Sequence, residues 1–234
     1  MVPMEGILAS LEHTLLKVDA SVTLADLDAS ASLVAEKGLR GFVVPPQLVK
    51  TTAGRHPEVK VITVVGFPLG FETFEVKELA CRQAAEDGAA EVDAVLDLSA
   101  LVNGDFARLR RELELLVDVA ERAGLGLKVI IETPILTERR IIRICGLISE
   151  FDLLAAKTST GYAREPIRAE HVRLMRRSLR EGIRVKASGG IRSLAEVRGF
   201  LAAGASFIGT SSTRDIIQQL ESESPPPDAD GGAK

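Results

Sequence analysis

One pattern constrains this chain more than any other: a strand-length apolar run followed by a stretch of helical period, repeated eight times. The runs fall at 11–16, 41–44, 59–65, 91–96, 127–132, 152–157, 183–187 and 206–210; the first alternates apolar and polar residues, whereas the sixth is apolar without alternation from Leu153 to Ala156. A strand apolar throughout is one covered on both faces, as in a parallel sheet flanked by helices. The connectors carry helix signals. Thr23 with Asp26 forms a capping-box pattern, and Gly38, Gly88, Gly124 and Gly204 stand where helices should stop. Pro45 and Pro46 cannot continue a central strand, so a turn and a short helix are expected there. No period of 20 to 50 residues recurs in the residues themselves. Eight βα units in 234 residues, 46% of them apolar, predict an α/β fold, a (β/α)8 TIM barrel with an extra N-terminal helix. Residues 1–220 are expected to form one domain. The segment 221–234, rich in Ser, Pro, Asp and Gly, is expected to be a disordered tail.

Charge and composition exclude several functions. A net charge of −4, with the basic clusters at 108–111 and 173–180 lying on helical faces, argues against neutralising nucleic-acid phosphates. No apolar run is long enough to span a bilayer and no secretory leader opens the chain, so neither a membrane nor a nucleic acid is an expected partner. A cytoplasmic protein is expected. Cys81 and Cys145 are far apart in helix-like settings, and His13, His56 and His171 are isolated, so neither a disulfide nor a metal or other cofactor is expected.

The chemistry-bearing residues cluster at the carboxyl ends of strands, the active-site face of a barrel. Lys157 ends the sixth run and is followed at once by Thr158, Ser159, Thr160 and Gly161. An amine on an apolar strand loses hydration, which favours its neutral, nucleophilic form. A lysine snorkelling from a strand end would look the same. Lys186 ends the next strand, and desolvation with mutual repulsion should bring one of the two amines down from about 10.4 toward 7. Asp93, an acid within an apolar strand, either exchanges protons with these amines or forms a structural ion pair with one of them. Glu132 is either catalytic or a tie for its loop. The last two strands run into glycine and hydroxyl clusters, Ser188 to Arg192 and Gly209 to Ser212. Backbone amides, hydroxyls and a helix start suit a phosphate, whereas a plain turn and an N-cap would explain each cluster singly.

Taken together, His13-Thr14-Leu15, Val65 to Gly70, Glu91-Val92-Asp93, Lys128 to Thr133, Lys157 to Gly161, Lys186 to Arg192 and Gly209 to Ser212 resemble the deoxyribose-phosphate aldolase family. The resemblance implies a metal-independent lyase with a (β/α)8 fold. It implies cleavage of 2-deoxy-D-ribose 5-phosphate to D-glyceraldehyde 3-phosphate and acetaldehyde through a lysine Schiff base, in deoxyribonucleotide catabolism. By position, Lys157 resembles the imine lysine, Lys186 the neighbour that lowers its pKa and Asp93 the acid of the proton relay. Glu12, Thr14 and Thr160 match substrate contacts, and Gly161, Gly189, Gly190, Arg192, Gly209, Ser211 and Ser212 match the phosphate cradle. Small phosphosugar and aldehyde substrates are the partners this implies. A homo-oligomer, dimer or tetramer, is also expected, and no residue pattern fixes which. Three positions depart from the family pattern. Glu12 stands for an aspartate, Val43 for a common cysteine, and Tyr162, the sole tyrosine, leaves no terminal tyrosine to assist proton transfer. Two other functions compete: an imine-forming aldolase for another phosphosugar, and a phosphosugar-binding regulatory module. The paired strand-end lysines argue against the latter, since binding alone needs no neutral amine.

Overall fold

The structure is a computed structural model that describes residues 2–16 and 22–223. The strands are β1 (Leu11–Thr14), β2 (Gly41–Val43), β3 (Val61–Val65), β4 (Glu91–Val95), β5 (Gly126–Ile130), β6 (Ala155–Lys157), β7 (Arg184–Ser188) and β8 (Phe207–Thr210). All neighbours pair in parallel, and β8 closes on β1 to complete a barrel in chain order. The interleaved helices are α1 (Met4–Leu8), α2 (Leu24–Glu36), α3 (Val49–Arg55), α4 (Phe74–Glu86), α5 (Leu98–Asn103), α6 (Phe106–Ala123), α7 (Glu138–Ile148), α8 (Ala169–Ser178), α9 (Leu194–Ala202) and α10 (Thr213–Ser222). This is the (β/α)8 TIM barrel with an added first helix. Among the described residues no helix is long and apolar enough to cross a membrane.

Local chemistry sets the element ends. Thr23 and Asp26 form the reciprocal capping box of α2, and Ser193 and Glu196 form another at α9. Asp105 caps α6, which stops at Gly124 in the left-handed region. Several boundaries differ from the sequence reading, and one helix is added. The 127–132 run leaves its strand after Ile130, because Glu132 turns into the left-handed region at φ 52°. Helix α5 fits between β4 and α6, started by an Asp97 side chain that accepts from the Ala100 amide at 2.9 Å. Two residues of the segment 221–234, expected to be a disordered tail, lie in a helix. Helix α10 continues past its last apolar residue through Glu221 and Ser222, and Glu221 Oε1 accepts from Lys37 Nζ at 2.7 Å. The remainder of that segment, from 224, lies outside the described residues, as does the polar turn expected at 19–21.

Alternate strand residues face opposite ways, so each strand divides between two environments. Val61, Val65, Val92, Ala94 and Val185 join the large core between sheet and helices. The other set faces the barrel axis, where two kinds of filling meet. Val43, Ile62 and Val64 make a small apolar cluster at β2 and β3, packed by Leu16 and Phe67. On the opposite side the axis is filled with charge.

Candidate active site

Glu12, Asp93, Lys128, Lys157 and Lys186 come from β1, β4, β5, β6 and β7, and all are buried. Register makes this possible. Glu12 is paired on either side with Gly41 and Gly209, so no neighbouring side chain competes for its space. A methyl group at Gly209 would stand 3.1 Å from Lys186 Cε, so the glycine in β8 is room for the lysine in β7.

Asp93 is the centre of the group. Its Oδ2 accepts from Lys157 Nζ at 2.8 Å and from Lys186 Nζ at 2.5 Å, and its Oδ1 accepts from Lys128 Nζ at 2.9 Å. Burial alone would favour its protonated form, but Lys128, Lys157 and Lys186 hold the carboxyl well below the usual range. Lys157 is lowered to about 8. Desolvation is the main cause, and the nearby Lys186 charge assists while Asp93 opposes. The mutual repulsion expected from sequence is therefore the lesser contribution. Lys128 moves the other way, raised because the carboxylates of Asp93, Glu12 and Glu91 outweigh its burial. Lys157 also stands 6.0 Å from the centroid of the Phe67 ring, which meets Tyr162 edge-on at 5.2 Å.

The anticipated anion-binding residues surround an open cavity of about 280 Å³ at the carboxyl end of the barrel. Thr14, Thr160, Gly161, Gly189, Gly190, Arg192, Gly209 and Ser211 line it. Gly189 must be glycine twice over: its φ is 118°, and a methyl there would lie 2.5 Å from Ser159 Oγ. Ser212 is not in the wall. Its amide donates to Thr210 Oγ1 at 3.0 Å, as the Arg192 amide does to Glu196 Oε2 at 2.9 Å, so two amides of the expected cradle already have partners. Glu12 is likewise no wall residue: fully buried, it pairs with Lys186 and Arg40. A second cavity of about 440 Å³, lined by Phe67, Val64, Pro45 and Lys77 among others, shares Leu16 and Tyr162 with the first.

Several participants are not evident in the sequence. Lys128, Glu91 and Arg40 complete the ionic group below Asp93, with Arg40 bidentate on Glu91 at 2.7 and 2.9 Å and Lys128 2.6 Å from Glu91. Their one visible signal is a polar residue on an inward strand position. Glu132 serves the loop after β6, where its Oε2 accepts from the Thr160 amide at 3.0 Å and the Thr160 hydroxyl at 2.7 Å. His13 faces outward, stacked on Phe42 and 2.9 Å from Thr213 Oγ1, so it joins β1 to α10 and takes no part in the ionic group.

No family model matches the chain. The deoxyribose-phosphate aldolase of Geobacillus sp. (strain WCH70) is 40% identical over 210 residues, covering 89% of this chain and 93% of the relative. The chain belongs to the deoxyribose-phosphate aldolase family. That of Thermococcus gammatolerans is 39% identical over 212 residues, with 89% and 93% covered. Among solved structures, the tetrameric deoxyribose phosphate aldolase from Aeropyrum pernix superposes with a TM-score of 0.87 at 29% identity, over 95% of this chain and 94% of that one. Membership in this aldolase family accords with a parallel barrel whose interior holds buried amines around one carboxylate.

Proposed function

We propose that the protein is a lyase that reversibly cleaves 2-deoxy-D-ribose 5-phosphate to D-glyceraldehyde 3-phosphate and acetaldehyde, with Lys157 as the amine that forms the Schiff base. The supporting observation is the state of that amine: buried, lowered to about 8, and sharing one Asp93 oxygen with Lys186. An amine with a pKa near neutrality is free often enough to attack a carbonyl. Lys157 adds to C1 of the open-chain sugar, and the carbonyl oxygen takes two protons, one of them from the attacking amine, and leaves as water, giving the iminium. As the C3 hydroxyl loses its proton, the C2–C3 electron pair moves toward the iminium nitrogen. Glyceraldehyde 3-phosphate departs, and a two-carbon enamine remains on Lys157. Protonation at C2 and hydrolysis release acetaldehyde and restore the amine. Asp93 and Lys186 are the groups we assign to carry these protons, since they already form a chain of short contacts with Lys157.

The wall formed by Thr160, Gly161, Gly189, Gly190, Arg192, Gly209 and Ser211 would receive the phosphate, with Thr14 among the sugar contacts. On this reading the enzyme serves deoxyribonucleotide catabolism. The tetramer described for the Aeropyrum relative supports a homo-oligomer here too. The decisive experiment is to incubate the protein with acetaldehyde and borohydride and map the reduced two-carbon adduct by mass spectrometry. Lys157 is expected to carry it. An adduct confined to Lys186 would exchange their roles, and no adduct with no cleavage of the sugar phosphate would end the proposal.

A further inference from the structure

The charges along the barrel axis can be counted. Among the described residues three carboxylates, Glu12, Glu91 and Asp93, meet four basic groups, Arg40, Lys128, Lys157 and Lys186. Arg40 pairs with Glu12 and Glu91, Lys128 with Glu91, Asp93 and more distantly Glu12, and Lys186 with Glu12 and Asp93. Among the described residues Lys157 pairs with Asp93 alone. A net charge in a buried site is expensive, so a closed group of ion pairs favours the protonation state that sums to zero. Three negative charges balance three positive ones, and the amine with the fewest counter-ions is the one left uncharged.

Arg40 is what brings the count to zero. Its side chain is 11% exposed, its guanidinium lies 3.6 Å from the centroid of the Phe207 ring, and it precedes β2 at the amino end of the barrel, away from the cavity. We propose that Arg40 is a tuning residue for Lys157: acting through Glu12, Glu91 and Asp93, it supplies the third positive charge and so leaves Lys157 as the amine without a counter-ion of its own. This rests on Lys157 being the imine-forming amine. Three further ionisable groups lie close. Lys60 is 3.5 Å from Glu91 but half-exposed, so water already screens its charge. Arg184 shares the Phe207 ring with Arg40 at 5.7 Å, and Tyr162, on Phe67 above Lys157, has its phenol raised by burial and stays neutral. None of these alters the count.

The test is the pH dependence of imine formation with acetaldehyde, trapped by borohydride and mapped to Lys157. In Arg40→Gln the axis keeps three carboxylates but only two fixed cations, so Lys157 becomes the third. Its apparent pKa is expected to rise by about one unit, with trapping about tenfold slower at pH 7 and recovering in alkali. Arg40→Lys should keep the wild-type profile. The double variant Arg40→Gln with Glu91→Gln restores the balance and should return the profile toward wild type, an outcome that mere damage to packing would not give. An unshifted profile in a folded Arg40→Gln protein would overturn the inference. Should that variant not fold, Glu91→Gln alone carries the test in the opposite direction, with a lowered apparent pKa expected and an unchanged or raised one fatal. Absence of any Lys157 adduct in the wild type would instead remove the aldolase reading, and the inference with it.

Discussion

Glu132 shows how much a single side chain can be asked to hold. It is 3% exposed, it adopts φ 52°, and one of its oxygens takes the amide and hydroxyl of Thr160 while the other has no hydrogen-bond partner among the described residues. A non-glycine residue in the left-handed region costs roughly 1–2 kcal/mol, tolerated only where the surroundings dictate it. Glu132→Ala keeps that cost and leaves two buried donors without an acceptor, so a loss of about 2 kcal/mol is expected in urea unfolding. Glu132→Gly loses the same acceptor but relieves the backbone, and should be about 1 kcal/mol more stable than the alanine variant. Equal stabilities would refute the strain argument. Both should raise KM for the phosphosugar, because Thr160 lines the cavity. At this scale the sequence is informative where a residue contradicts its surroundings. Asp93, Lys157 and Lys186 stand out in apolar strands and are the three that meet at one carboxylate oxygen. Arg40 precedes β2 and Glu91 starts β4, where exposure is the ordinary expectation, and only closure of the barrel makes them interior; Lys128, between Leu127 and Val129 in β5, carries the same signal as Lys186. The left-handed turn of Glu132 leaves no trace in residue type at all.

At the scale of elements, α4 and α6 are joined through a fully buried pair, Lys77 Nζ to Glu112 Oε1 at 2.5 Å. Lys77 also donates to the carbonyls of Gly70 at 3.2 Å and Val95 at 2.8 Å, while Glu112 Oε2 accepts from the Asp97 amide at 2.9 Å. One lysine thus ties the end of β4 to the loop after β3 that carries Phe67 toward Lys157. Burial still pushes the Glu112 carboxyl above its ordinary range despite the lysine, a sign that the pair is costly to keep dry. Lys77→Met strands that carboxylate, and a loss of about 3–5 kcal/mol is expected in chemical denaturation. Adding Glu112→Gln should recover a substantial part of it. A single variant within about 1 kcal/mol of wild type would show that water reaches the pair. Periodicity reveals the order and type of the long elements because packing against a common core imposes it on them. Helix α5 is six residues long, too short for period to show, and its start is set by one Asp97 contact. The two-sided reach of Lys77 is invisible in a helix where lysine is common.

For the molecule as a whole, the cavity is a product of closure, since its walls come from β1, β8 and the loops after β6 and β7. Gly190 is in that wall at φ 74° with open space where a side chain would go, a conformation that aspartate tolerates better than most residues. Gly190→Asp should therefore fold and repel an anion. We expect at least a tenfold fall in kcat/KM for 2-deoxyribose 5-phosphate and little change for the unphosphorylated sugar. An equal fall for both would move the phosphate elsewhere. Where two strands' worth of cavity meets, there is also a natural reporter. The chain has no tryptophan and one tyrosine, and that tyrosine, Tyr162, borders both cavities with its ring edge-on to Phe67. Every photon of tyrosine emission from this protein originates at the mouth of the barrel. Ligand occupancy can thus be followed by intrinsic fluorescence, without a dye or an engineered probe, and with no background from elsewhere in the fold.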